Sequence, residues 1–331
     1  RIQSTYSSLY LQNRWRPTDR WIITGGVRGN YFSEGDYLRV EPRLSIEHRP
    51  AERIRLQAAY GRYYQFLTLI SNEAFSGMDI WLTTDEGVPP SWGDQFVLGV
   101  TTIPFENHGF DVEFFYRTMH DLFELDPFVT DAGGVDYPEL FRFGEGYAWG
   151  MELLFERQAG PVSGFIGYTF GVTRRKFPGF NYPVLDDPGM GRFYSPKYDR
   201  THDVNLVLNV DLSDRWRATT IFSYATGQAY TEPTGRMQIV NLPWGSSVRE
   251  TFIIESLNAS RLPDYHRLDL AFSRAGSFFG VADSEWQFQI INAYSRRNVW
   301  FYQYDFDENP VERNEIRLLP VIPAISYTVT F

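Results

Sequence analysis

The chain has 331 residues, of which 17% are aromatic and 43% hydrophobic, with a formal net charge of −10. That charge argues against a nucleic-acid partner, because phosphate contacts need a concentrated basic face, and the absence of cysteine removes disulfides, thiolate metal sites and cysteine nucleophiles. The longest apolar run, Leu318 to Ile325, contains two prolines and falls far short of the roughly 18 to 20 residues of a membrane-spanning helix.

Taken in chain order, period-2 alternation predicts strands near 4–15, 21–31, 37–48 and 54–64. The third sets Leu38, Val40, Leu44 and Ile46 against Arg39, Glu41, Arg43, Ser45 and Glu47. Further strands follow near 92–103, 110–121, 147–157 and 162–173, with Phe110, Val112, Phe114 and Tyr116 opposing Asp111, Glu113 and Arg117. The series continues near 201–212, 216–227, 265–274 and 285–295 and closes at 317–331. That makes about thirteen strands, most of them longer than the roughly five or six residues usual in soluble sheets and near the roughly nine to eleven that cross a bilayer.

The connections add an asymmetry. Arg16 to Arg20, Arg49 to Arg53, the Ala-Gly-Pro at 159–161 and the Ser-Asp at 213–214 read as tight turns. The intervening links, roughly 65–91, 122–146, 174–200 and 228–264, are long. Strict alternation of short and long links places every short turn at one end of an antiparallel sheet and every loop at the other. Mid-strand charges such as Arg39, Glu41, Glu113, Arg117, Glu152 and Asp269 lie opposite the aliphatic face. A soluble sandwich shares that alternation. It does not explain two aromatic bands, with Trp15, Trp21, Trp216 and Trp286 beside the short turns and Tyr31, Tyr37, Tyr60, Tyr116, Tyr168 and Tyr224 toward the loops. The expected fold is all-β: a transmembrane antiparallel β-barrel with short periplasmic turns and long extracellular loops.

Residues that could carry chemistry are few. The histidines His48, His108, His120, His202 and His266 are scattered without metal-ligand spacing. His202 and Asp203 are strand neighbours and therefore point to opposite faces, and no nucleophile-elbow motif occurs; the glycines of Gly276 to Gly280 have the wrong spacing and fall in a turn. Asp305, Asp307 and Asn309 stand at the first, third and fifth positions of a calcium loop. Pro310 and Ile316 then replace the required glycine and glutamate, so an acidic surface loop without metal is expected. Asn258-Ala-Ser matches a glycosylation sequon that is read as accidental. Within Phe75 to Trp92, the residues Asp79, Trp81, Asp85, Glu86 and Trp92 suit stacking on a sugar or an aromatic chelator, or packing of the loop on itself. No catalytic residue, cofactor or enzymatic activity is expected.

Five stretches resemble one family. Arg14 to Phe32 followed by Leu38 to Gln65 resembles mid-barrel strands of TonB-dependent outer-membrane receptors, with a Pro-Arg-Leu strand, a Pro-containing turn and an Ala-Tyr-Gly strand. Tyr198 to Thr231 is similar to that family's late Asp-Arg-x-His-Asp strand, tight turn and aromatic strand. Leu262 to Arg274 and Ile291 to Asp305 resemble its final hairpins.

The resemblance implies a barrel of about twenty-two strands preceded by a plug domain. Neither a plug, an energy-coupling box nor a signal peptide is recognised in the sequence, so residues 1–331 are expected to be the C-terminal portion of the barrel domain. It further implies residence in the outer membrane of a Gram-negative cell and TonB-energised uptake of a large, scarce substrate such as an iron chelate, cobalamin, an oligosaccharide or a peptide. The implied partners are TonB through the plug, outer-membrane lipid and lipopolysaccharide, and the barrel-assembly machinery, which would read Tyr327, Val329 and Phe331. Ile325 and those three residues would face lipid, and Ser326, Thr328 and Thr330 the lumen. Two alternatives stand beside this: a passive solute or fatty-acid porin of about fourteen strands, and an outer-membrane hydrolase dependent on His202 or His266.

Overall fold

A computed structural model describes residues 4–71, 79–125, 135–178, 192–240, 248–254, 256–305, 308 and 311–331. The chain begins with β1 (Tyr6–Thr18), β2 (Trp21–Phe32), β3 (Tyr37–Ala51) and β4 (Ile54–Gln65). A short hairpin of β5 (Leu67–Ser71) and β6 (Asp79–Thr83) precedes β7 (Ser91–Thr102) and β8 (His108–Leu125). A 3-10 turn at Tyr137–Leu140 leads into β9 (Phe141–Arg157), β10 (Val162–Lys176), β11 (His202–Asp211) and β12 (Trp216–Ala225). The next link holds β13 (Ala229–Tyr230), β14 (Pro233–Val240), β15 (Val248–Ile254) and β16 (Ser260–Arg261). After β17 (Tyr265–Phe278) and β18 (Ala282–Ile291), a hairpin of β19 (Val299–Asp305) and β20 (Glu312–Arg317) precedes β21 (Ile322–Thr330).

One antiparallel sheet of 13 strands contains the strands the alternation predicts, in the order β1-β2-β3-β4-β7-β8-β9-β10-β11-β12-β17-β18-β21. Its neighbours are sequence neighbours once the loop hairpins are set aside, so no connection crosses the sheet. The pairing register sorts the side chains into continuous rows. Tyr60 opposes Phe96, Phe96 opposes Tyr116, and Tyr116 opposes Trp149, making an aromatic row across four strands on one face. Below it on the same face run Ala58, Leu98, Phe114 and Met151. The opposite face at that level carries Gln57, Gly99, Glu113 and Glu152. A slip of one residue would exchange the two sets, so the alternation itself pins the register.

The apolar face is bare. Leu98 is 61% and Phe114 54% exposed, with Leu38, Val40, Phe96, Phe272, Phe288 and Ile325 in the same condition. Soluble monomers rarely carry an apolar patch beyond a few hundred Å², whereas a barrel wall in lipid requires one. Trp15, Trp21, Trp216 and Trp286 lie on this face beside the short turns, and Tyr31, Tyr60, Tyr116, Tyr168 and Tyr224 lie on it toward the loops. Tyr37 departs from that expectation. It shares the inner face with Arg39 and Glu41, and its hydroxyl donates to the carbonyl of Asp85 at 3.0 Å.

Two features of the links differ from the sequence reading. The connection between β2 and β3 is only Ser33 to Asp36, closed by an amide of Asp36 on the Ser33 carbonyl at 3.3 Å, so short and long links do not alternate strictly. Asp36 takes a positive φ there, a conformation that Asp tolerates better than most residues. The long links also contain strands of their own in four two-stranded sheets. These hairpins are short or, as in Glu-Arg-Asn-Glu-Ile-Arg of β20, polar on both faces, so alternation does not announce them.

β1 and β21 stand at the two ends of the sheet order, each with one paired side. Backbone groups on the other side would go unpaired in hydrocarbon, at several kcal/mol apiece. We therefore expect residues 1–331 alone, refolded in detergent, to give no heat-modifiable band on a gel; a folded, denaturant-resistant band would mean that the chain closes on itself.

Candidate functional site at the loop rim

At the loop end, polar side chains, buried at Asp199, Asn292 and Asn298 and exposed at Asp264, fix the backbone where strands give way to irregular chain, as the pairing requirement of amides and carbonyls demands. The carboxylate of Asp199 is buried and accepts the Thr173 amide at 3.0 Å. It also receives Arg261 at 2.5 Å, with Arg174 at 3.6 Å, so three chain segments meet on one charge. Asp264 accepts the Tyr224 hydroxyl at 2.7 Å and the Gly227 amide at 3.0 Å. A side chain at Gly227 would collide with the Leu262 carbonyl, which explains glycine at that crossing. Buried Asn292 donates to the carbonyls of Arg296 at 2.9 Å and Leu319 at 3.1 Å and accepts the Arg296 amide at 2.9 Å. Asn298 bridges both backbone groups of His266 in the same way.

One apolar core supplements these polar ties. Val88, Phe123 and Phe141 are buried together, with Leu82, Tyr137, Leu140 and Phe143 packed around them. The Tyr137 hydroxyl donates to the Thr83 carbonyl at 2.9 Å, which joins the link after β8 to the hairpin after β4.

The residues singled out between 75 and 92 are dispersed by this arrangement. Asp79 pairs with Ser71 at the far end of the β5–β6 hairpin. Trp81 lies opposite Leu69 on the bare face of that hairpin and is 65% exposed, while Leu82 on the other face enters the core. Asp85 and Glu86 share a tight turn closed between Asp85 and Val88, where the Asp85 carboxylate accepts the Glu86 amide at 2.7 Å. Trp92 belongs to the outer wall. Its indole donates to Asp121 at 2.9 Å, it stacks on His120 at 4.2 Å, and Arg62 lies over its ring at 4.4 Å while paired with Asp94. Trp92 borders a cleft of about 520 Å³ with Arg39, Tyr64, Pro90 and Asp121. Thus Trp81, Asp85 and Glu86 remain at the rim and Trp92 leaves it.

Of the acidic loop, Asp305 ends β19, and Asp307 and Asn309 lie outside the described residues. Among the described residues no group of acidic or histidine side chains could hold a metal ion. Asn258 of the sequon is buried and accepts the Thr231 hydroxyl at 3.0 Å. Tyr327 and Val329 occupy the outer face opposite Trp286 and Ser284. His202 bonds the Tyr168 hydroxyl at 2.9 Å on the outer face, and Asp203 meets Asn205 on the inner one, so they make no catalytic pair.

A cluster outside the sequence reading joins two loops. Tyr230 packs on Tyr302 at 5.3 Å, Arg313 lies over the Tyr302 ring at 4.5 Å, and Glu232 meets Arg313 at 3.6 Å and the Ser260 hydroxyl at 2.8 Å. Burial, with a hydrogen bond to Tyr230, pushes the Tyr304 phenol well above its ordinary range. The alternation of Trp300, Tyr302 and Tyr304 was the available signal for this hairpin. Phenols packed edge-on around a guanidinium suit flat, electron-rich or anionic ligands.

A family model described as TonB dependent receptor-like, beta-barrel, matches residues 1–293. No curated protein matches the chain. Among solved structures, the ferripyoverdine receptor of the Pseudomonas aeruginosa outer membrane is similar at TM-score 0.61 and 11% identity over 98% of this chain and 38% of that one. The siderophore receptor PirA of Acinetobacter baumannii is similar at TM-score 0.59 and 12% identity, over 89% and 42%. A variant of the ferric enterobactin receptor of Pseudomonas aeruginosa follows at TM-score 0.57 and 13% identity, over 89% and 40%. At such identities the likeness is one of fold, and the chain spans about two fifths of the length of these structures.

Two outcomes are expected at the rim. Arg261→Ala leaves the buried Asp199 charge with the Thr173 amide and one distant cation, Arg174, a loss of roughly 2–3 kcal/mol; amide exchange at Thr173 should accelerate while mid-strand amides of β10 stay protected. Because the Tyr304 phenol is raised in the folded state, its contribution is intact at neutral pH and is lost as pH climbs past the ordinary phenol value of about 10. Tyr304→Phe should reduce the alkaline change in near-ultraviolet circular dichroism, to which the other raised phenols such as Tyr302 also contribute.

Proposed function

The chain belongs to the TonB-dependent receptor family of outer-membrane β-barrels, and from that premise we propose that it forms the C-terminal part of a barrel domain that takes up a large, scarce substrate with energy delivered by TonB. The observation that carries this reading is the two-faced wall. Its outer side is dressed for lipid, and its inner side carries the mid-strand charges Glu113, Glu152 and Asp269, interrupted by an apolar row of Phe165, Val207 and Ile221.

The inner charges point to a protein occupant. Glu113 and Glu152 stand directly opposite each other on β8 and β9, an arrangement that like charges disfavour. Neither joins an ion pair among the described residues. A plug presenting a cation between them supplies the missing partner, and such a plug is also the element through which TonB would act.

For the substrate we infer a bulky chelate. Support comes from the aromatic and cationic rim, where Trp81 is exposed and where Tyr230, Tyr302 and Tyr304 surround Arg313. The structural neighbours named above include receptors of ferripyoverdine and ferric enterobactin, so iron chelates are the first class to try. Cobalamin, oligosaccharides and peptides form the comparison set.

The test is uptake of labelled substrate by cells expressing the full-length gene in a host stripped of its own receptors. Accumulation should require TonB and fall on Trp81→Ala by roughly tenfold at limiting substrate, equivalent to about 1.4 kcal/mol. Trp92→Phe, on the outer wall, should leave it unchanged. Uptake of equal rate without TonB would contradict the reading and support a passive channel.

A further inference from the structure

We propose that the loop half of the inner face is a cationic vestibule that selects substrates of net negative charge, a proposal that rests on the uptake reading above and narrows it. Three guanidiniums carry it. The register places Arg28 of β2 opposite Tyr10 and Glu41, Arg39 of β3 opposite Asn30, and Arg117 of β8 opposite Gln95 and Ala148, all on the inner face. None of the three joins an ion pair among the described residues.

The local structure explains why they stay free. Glu41 stands directly across from Arg28, yet its carboxylate turns away and accepts Arg43 at 2.9 Å and the Tyr64 amide at 2.9 Å. The β3–β4 ladder ends at the Arg43–Gly61 pair, and the next residue of β3 is Pro42, which has no amide to donate. Beyond that fork the Tyr64 amide takes the Glu41 carboxylate in place of a ladder carbonyl. Arg28 is left with neutral partners, the Tyr6 hydroxyl at 3.1 Å and the Ser8 hydroxyl at 3.0 Å. Arg39 lies over the Tyr37 ring at 4.9 Å and donates to the Leu38 carbonyl at 3.1 Å. Asp121 borders the same cleft as Arg39, but its carboxylate accepts the Trp92 indole. Arg117 donates to the Gln95 side chain at 2.9 Å. Nε of Arg28 and Nδ2 of Asn30 are buried without an acceptor among the described residues, so this patch holds more donors than acceptors.

The carboxylates that lack cations lie deeper. Glu113 opposes Glu152, Glu152 opposes Thr169, and Thr169 opposes Asp203, which makes one inner row across β8 to β11. Arg117 stands four residues closer to the loops than Glu113 on the same strand, about 13 Å at roughly 3.3 Å per residue. That distance exceeds the screening length of about 8 Å at physiological salt, so the two bands act as separate fields. A cleft lined by one sign of charge concentrates ligands of the other sign. An anion arriving from the rim meets Arg28, Arg39 and Arg117 first and stops above the acidic row. A cation is repelled at the entrance, and a neutral sugar gains nothing there. Among the chelates inferred above, the wall therefore favours anionic ones.

Because the chain has no cysteine, the local potential is readable at single thiols. Tyr10→Cys, beside Arg28, and Ala148→Cys, beside Arg117, would be placed in the full-length receptor in outer-membrane vesicles. Each would be modified with a negatively charged sulfonatoethyl thiosulfonate and with its positively charged trimethylammonium counterpart. Relative to free cysteine, the anionic reagent should react roughly tenfold faster than the cationic one at both thiols. Arg28→Gln should erase the preference at residue 10 and Arg117→Gln at residue 148. Arg28→Lys and Arg117→Lys should keep it, which separates charge from folding. Equal rates for the two reagents would overturn the proposal. Selection is read separately in the uptake assay, with triply negative ferric tris-catecholate and neutral ferric tris-hydroxamate as probes. The anionic chelate should accumulate faster, and Arg28→Gln with Arg117→Gln should narrow the difference. Faster uptake of the neutral chelate beside an intact reagent preference would overturn selection by charge. Accumulation that does not need TonB would contradict the uptake reading instead, and the reagent rates do not depend on that result.

Discussion

A peptide group inside hydrocarbon has no water to bond, so each amide and carbonyl must find a partner in the protein. The 13-strand ladder meets that demand in its interior strands and fails at β1 and β21. The two-faced strands, the register that keeps aliphatics outward and the aromatic rows at each end follow from placing such a ladder in a bilayer. The same demand governs the loop end, where Asp199, Asp264, Asn292 and Asn298 take over from the ladder as partners of the backbone.

Much of the wall was legible because its signal is local. In β3 every second residue from Leu38 to Ile46 is apolar or proline, and no contact with a distant segment is needed to read that. The tight turns were legible for the same reason, since proline and aspartate act on their immediate backbone. The register was implied once both ends of a strand were placed. The exception at Tyr37 is instructive. Its period places it on the inner face with Arg39, and only its chemistry and its nearness to a loop suggested the aromatic band.

The rim was poorly legible because its structure depends on residues far apart in sequence. Asp199 and Arg261 are separated by 62 positions and Glu232 and Tyr304 by 72. No pattern within either segment marks the pair. Trp92 illustrates the limit from the other side. By composition it belongs with Trp81 and the neighbouring acids, yet it is the second residue of a wall strand, and pairing with His120 turns it outward. A loop residue and a wall residue are one type in the sequence and differ in what their neighbours place behind them.

The claim on which the rest depends is that one face of each wall strand meets lipid and the other does not. A nitroxide scan through β4 tests it most directly, with single cysteines from Leu56 to Gly61 in the full-length protein in bilayers. Oxygen accessibility should oscillate with period two, high at Leu56, Ala58 and Tyr60 and low at Gln57, Ala59 and Gly61. Uniform accessibility to a water-soluble reagent at all six positions would instead describe a soluble sheet and contradict the barrel wall.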